Sequence, residues 1–163
     1  MGKGLCVEES GVHIAFCAGT GVLVFLDLIS HLLLRSYYKH FVKPEDVPES
    51  MLQLKDDFVF VFYVSMLSMD SEIGLNMCEA LDKVNRKLGE TNFKLTVRIS
   101  KRWDGFRGEV WDENFVKDNL SQYSNKIKKV WISGPPTMNE TLDKSLEKLG
   151  PKLGIQPHMV DAM

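Results

Sequence analysis

This sequence has little of what would mark a special class of protein. Its three cysteines, Cys6, Cys17 and Cys78, stand far apart with no Cys-x-x-Cys pair. That pattern signals neither a disulfide framework nor a zinc site, and it fits a cytoplasmic or cytosol-facing setting. His13, His31, His40 and His158 share no ligand spacing, so no metal is indicated. Charge of one sign is missing as well: 20 Lys and Arg against 22 Asp and Glu leave a net charge of -2, which implies no nucleic-acid partner. The most apolar region, His13 to Leu34, is interrupted by Gly19, Thr20, Gly21, Asp27, Ser30 and His31. It falls short of the roughly 18 uninterrupted apolar residues expected of a membrane span. The opening MGKGLCVEESG is polar and does not read as a signal peptide, and no repeat or low-complexity tract is present.

What remains is the composition of an ordinary globular domain. At 163 residues, with 44% apolar and 26% charged residues, the chain is long enough for one cooperative core. Four short segments are rich in β-branched and aromatic residues and bounded by turn formers: Val12–Ala18, Asp57–Ser65, Phe93–Ser100 and Lys128–Ser133. These predict strands. Between them Val22–Tyr38, Ile73–Leu88, Glu113–Tyr123 and Thr137–Leu149 carry apolar residues at helical spacing, as with Leu142, Leu146 and Leu149. A fifth short strand is expected within Ile155–Val160. Strands alternating with helices require crossover connections, so the fold class is α/β: a doubly wound, parallel, five-stranded sheet with helices on both faces.

In such a sheet ligands bind at the carboxyl ends of the strands, where the strand order reverses. Two glycine turns fall at that edge: Ala18-Gly19-Thr20-Gly21 after the first strand and Ser133-Gly134-Pro135-Pro136 after the fourth. Each puts glycine between a strand and a helix N-terminus, where free amides and the helix dipole favour an anion. Gly-Thr-Gly also serves many tight turns that bind nothing, and that reading stands beside the functional one.

Three stretches, GVHIAFCAGTGVLVFLDLISHLL, WDGFRGEV and VWISGPPTMNETLDKSL, in this order and spacing, resemble the pyridine-nucleotide-binding domain of the ferredoxin-NADP reductase superfamily. The resemblance covers nearly the whole chain and implies a strand order of 3-2-1-4-5. It implies that NADH or NADPH binds across the two glycine turns. It also implies that a hydride then passes from nicotinamide to a flavin, FAD, held by a separate β-barrel domain in cis or in trans. Residues 1–163 are thus expected to be a single NAD(P)H-binding domain. GKGL at the start resembles the hinge entering that domain, so the chain is expected to be a piece of a longer flavoprotein, with the barrel upstream and absent from it.

Carried onto this sequence, the resemblance assigns Gly19, Thr20, Gly21 and Val22 to the cofactor's pyrophosphate and nicotinamide half. On the second turn it assigns Gly134, Pro135, Pro136 and Met138, with Ser133 beside the ring that surrenders the hydride. Ser65 and Ser68 after the second strand, and Ser100, Lys101 and Arg102 after the third, fall on the adenosine side. A charge cluster after a strand is more often simply solvated. Ser133 has no histidine or acid partner at the spacing of a serine nucleophile.

The chain departs from the family pattern in four places. Val24 stands where proline is usual, Ser133 where cysteine is usual and Ser68 where arginine is common, and the terminus HMVDAM lacks an aromatic residue. A non-catalytic nucleotide-binding or structural module that kept the fold is therefore the alternative, with an unrelated flavodoxin-like binder a third. Asp70 and Glu72 near the ribose favour NADH over NADPH, against the attraction of Lys101 and Arg102.

Overall fold

The computed structural model describes residues 5–66, 74–99 and 111–163. Within them the strands are β1 (Val12–Ala18), β2 (Val59–Met66), β3 (Phe93–Ile99), β4 (Ile127–Ser133) and β5 (Val160–Ala162). The helices are α1 (Leu26–Phe41), α2 (Leu75–Leu88), α3 (Glu113–Leu120) and α4 (Pro136–Leu153). All strand pairs are parallel and the order is β3-β2-β1-β4-β5, as the resemblance implies.

Alternation along the strands builds two cores. Ile14 and Phe16 of β1, Val61 and Tyr63 of β2, and Val130 and Ile132 of β4 face α3 and α4, meeting Val116, Leu120, Leu142 and Leu146. The residues between them, Ala15, Cys17, Phe60, Phe62, Val64 and Trp131, face α1 and α2, meeting Leu28, Ile29, Leu32 and Leu81. A strand covered on both faces reads as a continuous apolar run, which is why β1 is buried from Val12 to Cys17.

The boundaries shift where local chemistry competes with periodicity. The first helical stretch begins earlier than expected, as a 3-10 helix over Gly19–Phe25 that runs into α1. The combined run of 23 residues, Gly19–Phe41, is long and apolar enough by length and composition alone to cross a membrane. Here its inner face, with Val22, Phe25, Ile29 and Leu32, is buried in the domain's own core. Helix α4 continues past Leu149, through Pro151, to a left-handed cap at Gly154. The fifth strand lies later than Ile155–Val160: Pro157, which fixes φ and has no N–H, starts a 3-10 turn over Pro157–Met159, and β5 follows it.

The link from α1 to β2 holds two 3-10 turns, Pro44–Asp46 and Glu49–Met51. Buried Arg35 of α1 ties down its end by donating to the carbonyls of Leu54 at 2.9 Å and Lys55 at 3.4 Å. A second polar seam runs from α1 through α2 to the start of β3. Ser36 donates to Asn85 Oδ1 at 3.1 Å, and Asn85 Nδ2 donates to Asn92 Oδ1 at 2.6 Å, all three side chains being buried.

Candidate functional site

Strands β1 and β4 are neighbours whose onward connections leave to opposite faces of the sheet, so a crevice opens at their carboxyl ends. Both glycine turns lie there and pack directly on one another. A Cβ built on Gly21 would stand 2.2 Å from the Ser133 carbonyl oxygen and 2.9 Å from Ser133 Oγ. Only glycine fits, because the first object met is backbone. Gly134 makes the companion contact: its Cβ would meet Met138 Sδ at 2.7 Å and Ala18 Cβ at 3.3 Å. The two turns are therefore one interlocked unit, with Cys17 and Ser133 in register beneath it.

Gly19 is different. Its φ is +55°, a left-handed conformation, yet a Cβ there would meet nothing within 4 Å. Open space above a glycine at the start of a 3-10 helix suits a ligand approaching the backbone. The N-cap, Ala18, supplies no side-chain hydrogen bond. The first amides of such a helix, those of Gly19, Thr20 and Gly21, have no partner inside it. Thr20 is exposed beside them.

The second turn offers less to an anion. Pro135 and Pro136 carry no N–H, and the amides of Met138 and Asn139 both donate to the Pro135 carbonyl, at 2.9 and 3.1 Å. That leaves the Gly134 and Thr137 amides on the second turn, against three helix-start amides on the first.

The remaining predicted residues fall in several places. Val22 is fully buried in the core on the α1 side, so its side chain supports the turn from below. Met138 is half-buried, filling the space under Gly134 and packing against the α4-side core. Pro135 and Pro136 are exposed, whereas Ser133 is only 6% exposed and pressed against Gly21. Ser65, one residue before the end of β2, is half-buried, with Ala18 on one side and Arg98 on the other in the ladder. Ser68, Ser100, Lys101 and Arg102, with Asp70 and Glu72, lie outside the described residues.

Arg98 is the residue that sequence reasoning missed. Its guanidinium stands 3.9 Å from the centre of the Phe115 ring, which holds a positive charge at the carboxyl end of β3 beside Ser65. Within VRIS it reads as one polar residue of an edge strand, and only the fold brings it to α3. Nearby Tyr63 is held protonated far above its usual range by burial, with Tyr123 adding to the effect and Arg98 opposing it. Among the described residues no three His, Cys, Asp or Glu side chains gather as a metal site would need.

No protein-family description and no curated protein sequence matches the chain. Solved structures do. The cytochrome b5 reductase domain of Ulva prolifera nitrate reductase superposes with a TM-score of 0.60 at 14% identity, over 94% of this chain and 49% of that one. Ferredoxin-NADP+ reductase from Plasmodium falciparum gives 0.57 at 14% identity, over 94% and 53%. A point mutant of the latter in complex with 2'P-AMP gives 0.58 at 15%, over 94% and 52%. The chain has the fold of the matched parts of these reductases. The chain spans about half the length of the structures it matches.

Proposed function

We propose that this chain is the NAD(P)H-binding domain of a flavin-dependent oxidoreductase. The observation that carries the reading is the interlocking of the turns, Gly21 against the Ser133 carbonyl, at the reversal of strand order. It sets an anion-binding turn and a proline-stiffened turn on either side of one crevice, a shape that suits a dinucleotide with its pyrophosphate at the first and its nicotinamide toward the second.

The residues present fit that ligand. Gly19 leaves open space over the backbone, and the Gly19, Thr20 and Gly21 amides bind the pyrophosphate. Pro135 and Pro136 stiffen the second turn beside the nicotinamide, and Ser65 meets the adenosine side. When bound, NADH supplies a hydride, with its electron pair, that a flavin such as FAD on a companion domain accepts. The chain's own part is to bind and orient; the cofactor carries the chemistry. Leu23, Val24 and Met163 are exposed apolar side chains available for the companion domain to cover. A protein that joins this chain to its flavin-loaded companion domain should lose its yellow colour when NADH is added without oxygen. Persistent colour despite bound NADH would refute hydride transfer.

One observation favours a second reading, a nucleotide-binding module that no longer transfers hydride. Ser133 stands where the resemblance expects cysteine, and its hydroxyl turns toward Gly21 rather than into the crevice. Nucleotide binding without bleaching would select that reading.

A further inference from the structure

Away from the crevice, His13 is a buried imidazole that the nucleotide reading does not use. It is the second residue of β1, fully inaccessible, with its ring 4.8 Å from that of Phe58 and 5.7 Å from that of Trp131. Its Nε2 is 3.1 Å from the backbone N of Glu8. An N–H can only donate, so Nε2 accepts and the ring proton sits on Nδ1. Glu8 belongs to an extended segment in which Leu5 and Val7 turn inward and Cys6 and Glu8 outward. Leu5 and Val7 pack on the core beside α1. They also wall a cavity of about 640 Å³ whose other side is Leu28 and His31 of α1, with Leu54 and Met163.

The segment has one further fastening, at Glu9. Lys55 N–H donates to the Glu9 carbonyl at 2.7 Å, and Lys55 Nζ stands 3.6 Å from the Glu9 carboxylate. Upstream of that hinge, the His13 hydrogen bond is the one polar tie found between residues 5–8 and the rest of the described chain.

We propose that residues 5–8 are a strap latched by His13, and that protonation of His13 releases the strap and so removes one wall of this solvent-open pocket. A second proton on the ring would go to Nε2, setting N–H against N–H across 3.1 Å. The latch then becomes a repulsion between two donors, and a buried charge is created between aromatic rings. Burial already holds the imidazole below its usual range, opposed by the Gly11 carbonyl and the Glu8 carboxylate; Lys128 acts in the same sense as burial. In the open state the ring meets water and returns to a value near 6.5. Opening therefore takes up a proton, and the open population rises as pH falls below that value, by at most about tenfold per pH unit.

NMR of the full chain between pH 7.5 and 5 tests this, independently of nucleotide. The His13 ring signals and the protection of the Cys6–Glu8 amides should change together, with Leu5 and Val7 methyl signals following. His13→Gln, whose amide oxygen can accept from Glu8 at any pH, should keep the strap closed throughout the range. Titration of His13 without loss of protection, an intact strap at pH 5 in the wild type, or equal loosening in His13→Gln would each overturn the proposal. Should His13→Gln fail to fold, the wild-type midpoints still decide it: coincident midpoints support the latch, and separated ones reject it.

Discussion

At the residue scale, the two glycines of the first turn serve different physical needs, and substitution should separate them. Gly21→Ala places a Cβ against a backbone oxygen that cannot swing aside. Denaturant unfolding should show a loss of about 1–3 kcal/mol, the cost of overpacking. Gly19→Ala meets no atom and bears only the cost of its left-handed φ, about 1–2 kcal/mol. On the proposed function, however, its methyl stands where phosphate approaches, so Gly19→Ala should weaken NADH binding out of proportion to its small loss of stability. Unchanged affinity in the folded Gly19→Ala protein would return this turn to an ordinary strand-to-helix connection. Thiol reactivity is equally local. Cys17 and Cys78 are buried, and burial raises both thiols, Cys78 to about 12, whereas Cys6 is exposed. An Ellman titration at pH 8 should count one fast thiol in the native protein and all three after unfolding; three fast thiols in the native state would show that the cores open readily.

At the element scale, the polar seam from Ser36 through Asn85 to Asn92 joins α1, α2 and the start of β3. Asn85→Leu keeps a similar volume but leaves the Ser36 hydroxyl and the Asn92 carbonyl without their partner in a buried place. A loss of about 1–3 kcal/mol in urea unfolding is expected; a neutral result would mean that water or a rearranged side chain fills in. The elements differ in how far they were legible in the sequence. Strand β1 reads directly from Val12 to Ala18 because both of its faces are covered. The helix ends do not read directly. The 3-10 start at Gly19, the extension of α4 through Pro151 and the displacement of β5 by Pro157 each depend on what the neighbouring backbone allows. Arg98 escaped notice for a related reason. Periodicity assigns it to an edge strand, and its ring partner Phe115 lies 17 positions away on another element. The need for glycine at 21 was legible, but its cause was not, since the Ser133 carbonyl comes from a strand more than 100 positions away.

On the scale of the whole molecule, stability should depend on pH through His13. Its folded value is lowered, so the unfolded chain binds the extra proton first. The neutral ring's contribution is complete above about 6.5 and is lost progressively as pH falls from there toward the folded value. Thermal unfolding should therefore weaken more steeply below pH 6.5 in the wild type than in His13→Gln; parallel curves would assign the acid sensitivity to other groups. Purified alone, the chain should be colourless, since the proposed flavin belongs to a companion domain; stoichiometric bound flavin would contradict that division of labour.

The central claim is that the two interlocked turns hold a nicotinamide dinucleotide, and titration of the purified chain with NADH and NADPH, followed by nicotinamide fluorescence and amide NMR, tests it most directly. Saturable binding is predicted, with the amides of Gly19, Thr20, Gly21, Gly134 and Thr137 shifting first. NADH should bind the more tightly, by about tenfold or less if one exposed charge contact decides the preference. Clearly tighter NADPH binding that is lost in Lys101→Ala or Arg102→Ala would reverse the preference. Failure of either nucleotide to move the amides of both turns would contradict the account itself.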